Sequence, residues 1–158
     1  HKILERVRLM AESGFAKNIK FVEIYDPSLP FIDGNYDQLI QIFLNLIKNA
    51  AESINHDHGE IVMKTSYQHS VKFALPGQKS QFHLPLVISI KDNGVGIPQS
   101  LNELIFDAFV TTKSNGTGLG LALVAKLIDD HGGVIEFESE LGRTIFKVLL
   151  PMHEKKSI

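Results

Sequence analysis

The segment from Tyr36 to Ile54 sets the terms for the rest of the chain. Leu39, Ile40, Phe43, Leu46, Ile47, Ala50, Ala51 and Ile54 recur at i, i+3, i+4 and i+7, the spacing of one helical face. Asn35 followed by Gln38 offers a capping box at the start, and "NHDHG" (55–59) ends the helix. An apolar stripe of this width must be covered by another layer. The neighbouring segments decide what that layer is.

Most of them read as strands. "IKFVEIY" (19–25) places Ile19, Phe21 and Tyr25 on one face, after a helix over 2–13 that uses Ile3, Leu4, Val7 and Met10 and stops at Gly14. "DPSLPFIDG" (26–34) is a turn-rich connection. "EIVMKTSYQH" (60–69) and "FHLPLVISIKD" (82–92) are two further strands, with 70–81 a hairpin extension ending in a mobile tip. Residues 97–109 open with Pro98 and hold one short helix; 110–118 is loop. "LGLALVAKLIDDHGG" (119–133) is an apolar helix ended by Gly132 or Gly133. "VIEFES" (134–139) and "TIFKVLLP" (144–151) form a hairpin through "ELGR". The strands come as antiparallel neighbours rather than in strict βαβ alternation. The expectation is an α/β (α+β) two-layer sandwich, a mixed, largely antiparallel sheet with helices on one face.

Composition excludes several classes. At 158 residues the chain suits one domain. It has no cysteine, so neither a disulfide framework nor a thiolate zinc site is possible, which fits a reducing compartment. Net charge is −2, from 16 basic and 18 acidic residues, so nothing steers the domain to nucleic acid or to a membrane surface. No apolar run approaches the roughly 18 residues of a membrane-spanning helix. "HKILERVRLMAESGF" is neither a signal peptide nor an initiating methionine, and the chain reads as a piece of something longer.

Three polar stretches carry the chemistry. Asn45 and Asn49 are four apart on the long helix and so share a direction away from its apolar stripe. They are either a solvated polar face or carboxamide oxygens for a metal or ligand; a hard cation takes such oxygens and needs few of them when phosphates supply the rest. "DNGVGIP" (92–98) stops a strand. Asn-Gly signals a turn, but a hairpin explains one glycine better than both Gly94 and Gly96. A buried Asp92 could accept a bond from an exocyclic amine while the glycines admit a flat base. In "TTKSNGTGLGLALVAK" (111–126), Gly116, Gly118 and Gly120 alternate before a helix. The dinucleotide fingerprint fails, because Leu121 stands where the third glycine belongs and no strand precedes; the P-loop fails, because no Gly-Lys-Ser/Thr closes it. What remains is a helix start that attracts an anion, or a glycine-rich lid.

Order and spacing are more specific than any one stretch. "NLIKNA" (45–50), "DNGVGIP" (92–98), "FDAF" (106–109) and "GTGLGLA" (116–122) resemble the N, G1, F and G2 boxes of the catalytic ATP-binding domain of sensor histidine kinases, in the superfamily with gyrase, heat-shock protein 90 and MutL. The resemblance covers about residues 30–151, and "AESGFAKNIKFVEIYDPSLP" looks like the nitrogen-regulation, NtrB-like kinases. It implies a Bergerat-type ATP-binding fold. It divides the chain into the end of a connection from a dimerisation domain (1–18), the catalytic ATP-binding domain (19–152) and a tail (153–158).

The resemblance also implies roles. Asn49 would coordinate Mg²⁺ on the nucleotide phosphates, and Asp92 would accept the adenine amine beside Gly94 and Gly96. Residues 97–117 would form the lid, with Phe106 and Phe109 as its anchors. Gly116, Gly118, Leu119 and Gly120 would offer N–H groups to phosphate, Lys113 would reach the γ-phosphate, and Thr144 would support the base through water. Ser53, Ile97, Thr111, Thr112 and Thr117 complete the nucleotide-facing set. The pattern departs at Glu52, where many such kinases carry Lys or Arg, and at Ser53, often aromatic or His. Lys48 is a weaker cation, because its helical phase turns it from Asn49.

Asn45 decides the chemistry. Hydrolysing members carry there a glutamate that activates water, and a carboxamide cannot take a proton. That favours transfer to an acceptor already nucleophilic at neutral pH, such as a histidine imidazole. None of His1, His56, His58, His69, His83, His131 and His153 has the acceptor context, and "HDH" (56–58) invites either a metal or a solvated-loop reading; His131 is placed to cap a helix C-terminus. The acceptor would lie on a separate dimerisation domain, the phosphate would pass to a response regulator, and a PII-type regulator is a further implied partner. A cytoplasmic, monomeric fragment follows. The rival readings are an ATP-hydrolysing switch of the same fold and a nucleotide-binding regulatory module without kinase activity.

Overall fold

The structure, a computed structural model, describes residues 1–69, 72–74, 81–112, 116 and 118–152. In chain order its elements are α1 (Lys2–Ser13), β1 (Lys20–Ile24), α2 (Tyr36–Ser53), β2 (Glu60–Tyr67), β3 (Lys72–Ala74), β4 (Gln81–His83), β5 (Leu86–Asp92), α3 (Gly120–Asp130), β6 (Val134–Glu140) and β7 (Arg143–Leu150). The main sheet runs β1-β2-β5-β7-β6, and β3-β4 form a separate two-stranded ribbon whose tip lies outside the described residues. β1 and β2 are parallel and every other neighbouring pair is antiparallel. The parallel pair follows from α2, the crossover between the two strands; parallel neighbours need such a connection. The expectation of a mixed, largely antiparallel sheet with helices on one face is borne out.

α2 is the middle of the helical layer, packed against α1 on one side, α3 on the other and β5 and β2 beneath. It buries Leu39, Ile42, Phe43, Leu46, Ile47, Ala50 and Ala51. Ile42 was not on the expected stripe, whereas Ile40 and Ile54 are only partly buried. A helix covered on three sides buries a broader face than one lying on a single layer, which accounts for the difference. Each fully buried Leu or Ile contributes about 1.5–3 kcal/mol. α1 joins the same core through Leu4, Val7 and Ala11, with Met10 half out in solvent.

The helix ends were only partly legible. Asn35 Oδ1 accepts the Gln38 N–H (3.0 Å), half of the expected capping box. The other half is replaced: the Asn35 N–H donates to His131 Nε2 (3.2 Å). His131 is the C-cap of α3, and its Nδ1 meets the Leu127 carbonyl at 2.7 Å. One imidazole thus joins the start of α2 to the end of α3. α3 closes in a full Schellman motif, Gly132 N–H to Asp129 O and Gly133 N–H to Ile128 O, with Gly132 at φ +68.

The short helix expected within residues 97–109 is a single 3-10 turn (Gln99–Leu101), followed by further turns closed by bonds from Leu104 to Leu101 and Asp107 to Leu104. These three-residue closures turn Ile105 into the core and Phe106 edge-on to Phe137 and Phe146.

The sheet's register builds two rows beneath the helices. Met63, Ile90, Phe146 and Phe137 stand side by side as an apolar row. The next row is Ile61, Asp92, Thr144 and Ser139. Cross-strand partners share a face, so three polar residues lie together at one end of an otherwise apolar layer.

Candidate nucleotide site

That polar end opens into a cavity of about 570 Å³ between α2, the 92–98 turn, the lid segment and the start of α3. Asn45, Asn49, Ser53, Asp92, Gly96, Ile97, Thr111, Thr112, Gly116, Gly118, Gly120 and Thr144 all line it. The three stretches singled out in the sequence therefore meet. Lys113 and Thr117 lie outside the described residues.

Asp92 ends β5 and is 3% exposed. Its Oδ1 accepts the Gly94 N–H (2.9 Å) and lies 3.0 Å from the Ser53 hydroxyl, whose single proton it shares with the Ala50 carbonyl at 2.8 Å. Both contacts fall on one oxygen, and Asp92 lines the cavity. Burial pushes this carboxyl above its ordinary range, and the bonds from Gly94 and Ser53 pull it partly back. Asn93 is structural: Oδ1 accepts the Glu60 N–H and Nδ2 donates to the His58 carbonyl, both at 2.8 Å. His56 Nε2 sits 3.0 Å from the Asn93 carbonyl, so the "HDH" loop braces this turn. Among the described residues no group of three or more His, Cys, Asp or Glu is placed to hold a metal ion.

The glycines divide. Gly94 does not line the cavity. A Cβ there would sit 2.6 Å from the Ser53 carbonyl oxygen and against its hydroxyl, while the Val95 N–H already bonds that carbonyl at 3.0 Å. The end of α2 by itself requires a glycine here. Gly96 does line the cavity; its φ of +85 and the adjacent Glu140 carbonyl both bar a side chain. Gly118, at φ +69, packs on the Phe109 backbone and its carbonyl takes the Phe109 N–H at 2.9 Å. The two residues flanking 110–117 are thereby pinned together.

Phe109 departs from its expected role. It is 76% exposed, holds φ +68 and does not line the cavity. The anchor is Phe106, because the strained backbone that lets Phe109 meet Gly118 turns its ring outward. Leu119 is also exposed and off the cavity wall. It is the N-cap of α3 and makes no side-chain capping bond of its own, and a helix start carries the positive end of the helix dipole.

Across the cavity α2 presents carboxamides. Asn45 Nδ2 donates to the Gln41 carbonyl (3.0 Å), and its oxygen faces Gly120, 3.5 Å from where a Cβ would stand. Lys48 lines the mouth with Glu52, their charges 4.0 Å apart, although its helical phase pointed elsewhere.

Ser139 was missed. Its Oγ accepts the Ile97 N–H (2.8 Å) and lies 2.8 Å from Thr144 Oγ1, tying the 92–98 turn to the β6–β7 hairpin. The signal was present: a two-residue turn at Leu141-Gly142 pairs Glu140 with Arg143 and hence Ser139 with Thr144.

The site joins a buried carboxylate at one end to carboxamides and a helix start at the other. That suits a flat, polar head and an anionic tail. The chain is similar to several known proteins. A relative from Azospirillum brasilense, the sensory histidine kinase/phosphatase NtrB, is 64% identical over 98% of this chain and 39% of its own length. The Rhizobium leguminosarum NtrB is 49% identical over 100% of this chain and 42% of its own; the chain thus spans about two fifths of the curated relatives it matches. Among solved structures, the catalytic domain of histidine kinase ThkA superposes with a TM-score of 0.75 at 28% identity, over 95% of this chain and 92% of that one. Full-length ShkA in complex with AMPPNP does so at 0.75 and 27%, over 95% of this chain and 29% of that one. The family model described as histidine kinase-, DNA gyrase B- and HSP90-like ATPase matches residues 34–154, and the chain belongs to that family.

Proposed function

We propose that this chain is the ATP-binding catalytic domain of an NtrB-like sensor histidine kinase, which transfers the γ-phosphoryl group of ATP to a histidine on a separate dimerisation domain. Residues 19–152 form the domain, 1–18 the end of the connection to the dimerisation domain, and 153–158 a tail. The observation that carries the reading is Asp92, a buried acceptor at the floor of a cavity whose far wall is a helix start and two carboxamides.

The roles follow from chemistry. Asp92 accepts the adenine amine, with Thr144 beside it and Gly96 and Ile97 against the base. Ser53 holds the carboxylate. Gly116, Thr117, Gly118, Leu119 and Gly120 offer backbone N–H groups to the phosphates, and Thr111, Thr112 and Lys113 close over them. The carboxamide oxygens of Asn49 and Asn45 are hard donors on one helix face of the cavity and fit Mg²⁺, which Asn49 would hold and which would supply charge neutralisation for the nucleotide phosphates. An imidazole nitrogen of the acceptor histidine attacks the γ-phosphorus, the bond to the bridging oxygen breaks, and ADP leaves with that electron pair. Asn45 cannot take a proton from water, so transfer wins over hydrolysis.

The remaining partners are a response regulator, which receives the phosphate, and a PII-type regulator. Among the described residues no helix is long and apolar enough to cross a membrane. The domain works in the cytoplasm as a monomeric module of a larger kinase. Calorimetric titration with ATP and Mg²⁺ tests the base of the proposal: saturable binding that Asp92→Asn weakens supports it, and no binding to the parent chain overturns it.

A further inference from the structure

Ser139 has no role in the reading above, yet it touches two parts of the site. Its Oγ accepts the Ile97 N–H at 2.8 Å. A hydroxyl has one proton to give. For Ser139 the acceptors are Thr144 Oγ1 at 2.8 Å and the Arg143 carbonyl at 3.5 Å, the latter at the limit of a hydrogen bond. Either hydroxyl satisfies the 2.8 Å contact, but with the Arg143 carbonyl so far the better-bonded arrangement has Ser139 donating to Thr144 Oγ1. In that arrangement Thr144, 3% exposed and lining the cavity, accepts a hydrogen bond from Ser139 and keeps its own proton to donate on the cavity side. Asp92 stands next to Thr144 in the sheet register.

The polar row therefore offers an acceptor, Asp92, and beside it a donor, Thr144. Adenine carries the complementary edge: its exocyclic amine donates and its N1 accepts. Hypoxanthine and guanine reverse both, with an accepting O6 and a donating N1–H. Resting on the cavity as an adenine-nucleotide site, we infer that Ser139 is a positioning residue that sets Thr144 as a donor, directly or through one water, and so helps select adenine over 6-oxopurines. Without Ser139 the Thr144 hydroxyl can turn either way, and the penalty for a base with a donor at N1 falls.

The test is calorimetric titration of the parent chain and Ser139→Ala with ADP, 1-deaza-ADP (which lacks the N1 acceptor) and IDP. For the parent, 1-deaza-ADP should bind about tenfold more weakly than ADP, the size of one lost hydrogen bond. In Ser139→Ala that ratio should fall to about twofold or less, and IDP should gain on ADP by a similar factor. Ser139→Thr, which keeps the hydroxyl, should restore the parent ratios. Should the alanine variant not fold, Ser139→Cys, a weak donor of similar shape, carries the same comparison. If Ser139→Ala weakens ADP and 1-deaza-ADP equally, Ser139 only holds the Ile97 turn and the inference is overturned while the nucleotide site stands. If the parent binds no ADP, the site itself is refuted, and the inference with it.

Discussion

Gly94→Ala probes the joint between α2 and the 92–98 turn. The added Cβ would stand 2.6 Å from the Ser53 carbonyl oxygen and 2.7 Å from its carbon, below the 3.0 Å that real Cβ atoms respect. The obstacle is backbone at the end of an 18-residue helix and cannot rotate aside. The turn must move a few tenths of an ångström from α2. That stretches the Val95–Ser53 bond and the Ser53–Asp92 bond, each 3.0 Å. Overpacking of this kind costs about 1–3 kcal/mol, and backbone contact puts it at the upper end. At about 3 kcal/mol the melting temperature should fall by about 6–12 °C. ATP affinity should fall about tenfold or more, because the displaced carboxylate loses a charge-assisted bond. Thermal denaturation without nucleotide and calorimetric titration with ATP read the two effects. Adding Ser53→Ala removes only the hydroxyl part of the clash and should recover less than half the stability. A Gly94→Ala chain that melts within about 1 °C of the parent, or a full rescue by Ser53→Ala, would refute the reasoning.

Asp92→Asn should separate stability from binding. Burial raises this carboxyl, so the folded chain holds its proton to higher pH than the unfolded one, and stability is lost as pH rises from the ordinary carboxylate range through the raised value. At pH 7 the asparagine variant should therefore melt no lower than the parent while ATP affinity falls about 10- to 100-fold; in the parent, ATP affinity should fall as pH drops through the raised value of Asp92. A matching loss of melting temperature would instead mark Asp92 as structural. Asn45→Glu should give the domain measurable ATP hydrolysis without any protein acceptor, read as released phosphate; unchanged turnover would show that the missing carboxylate is not what prevents hydrolysis. His131→Ala removes the contacts to Asn35 and Leu127. It should cost about 1–2 kcal/mol and lower the melting temperature by about 2–8 °C with ATP affinity retained.

The elements were legible because their periodicities are strong. α2 and the β6–β7 hairpin follow their predicted bounds closely, since a wide apolar stripe and a two-residue turn leave little choice. Three features depended on neighbours that no local pattern names. Ile42 is buried because α2 has helices on both sides. Asn35 gives its N–H to His131 because the end of α3 happens to lie beside it. The 97–109 segment forms turns because Ile105 and Phe106 are drawn in separately. At the site, the residue types were readable and the reasons for some were not. Gly94 has a steric reason in Ser53 that no local pattern names, and Phe109 is turned outward by its bond to Gly118. Ser139 escaped notice because it acts through Thr144, a relation visible only once the hairpin register is written out.

The central claim is that the γ-phosphate is transferred and not hydrolysed. Mixing the chain with a histidine-bearing dimerisation domain of an NtrB-like kinase, Mg²⁺ and γ-labelled ATP measures it directly. The account predicts label on the dimerisation domain that is stable to base and lost in acid, with little free phosphate, and no labelled protein when Asn49→Asp or Asp92→Asn replaces the parent chain. Free phosphate accumulating with no labelled protein, or bound ATP that is neither transferred nor cleaved, would contradict it.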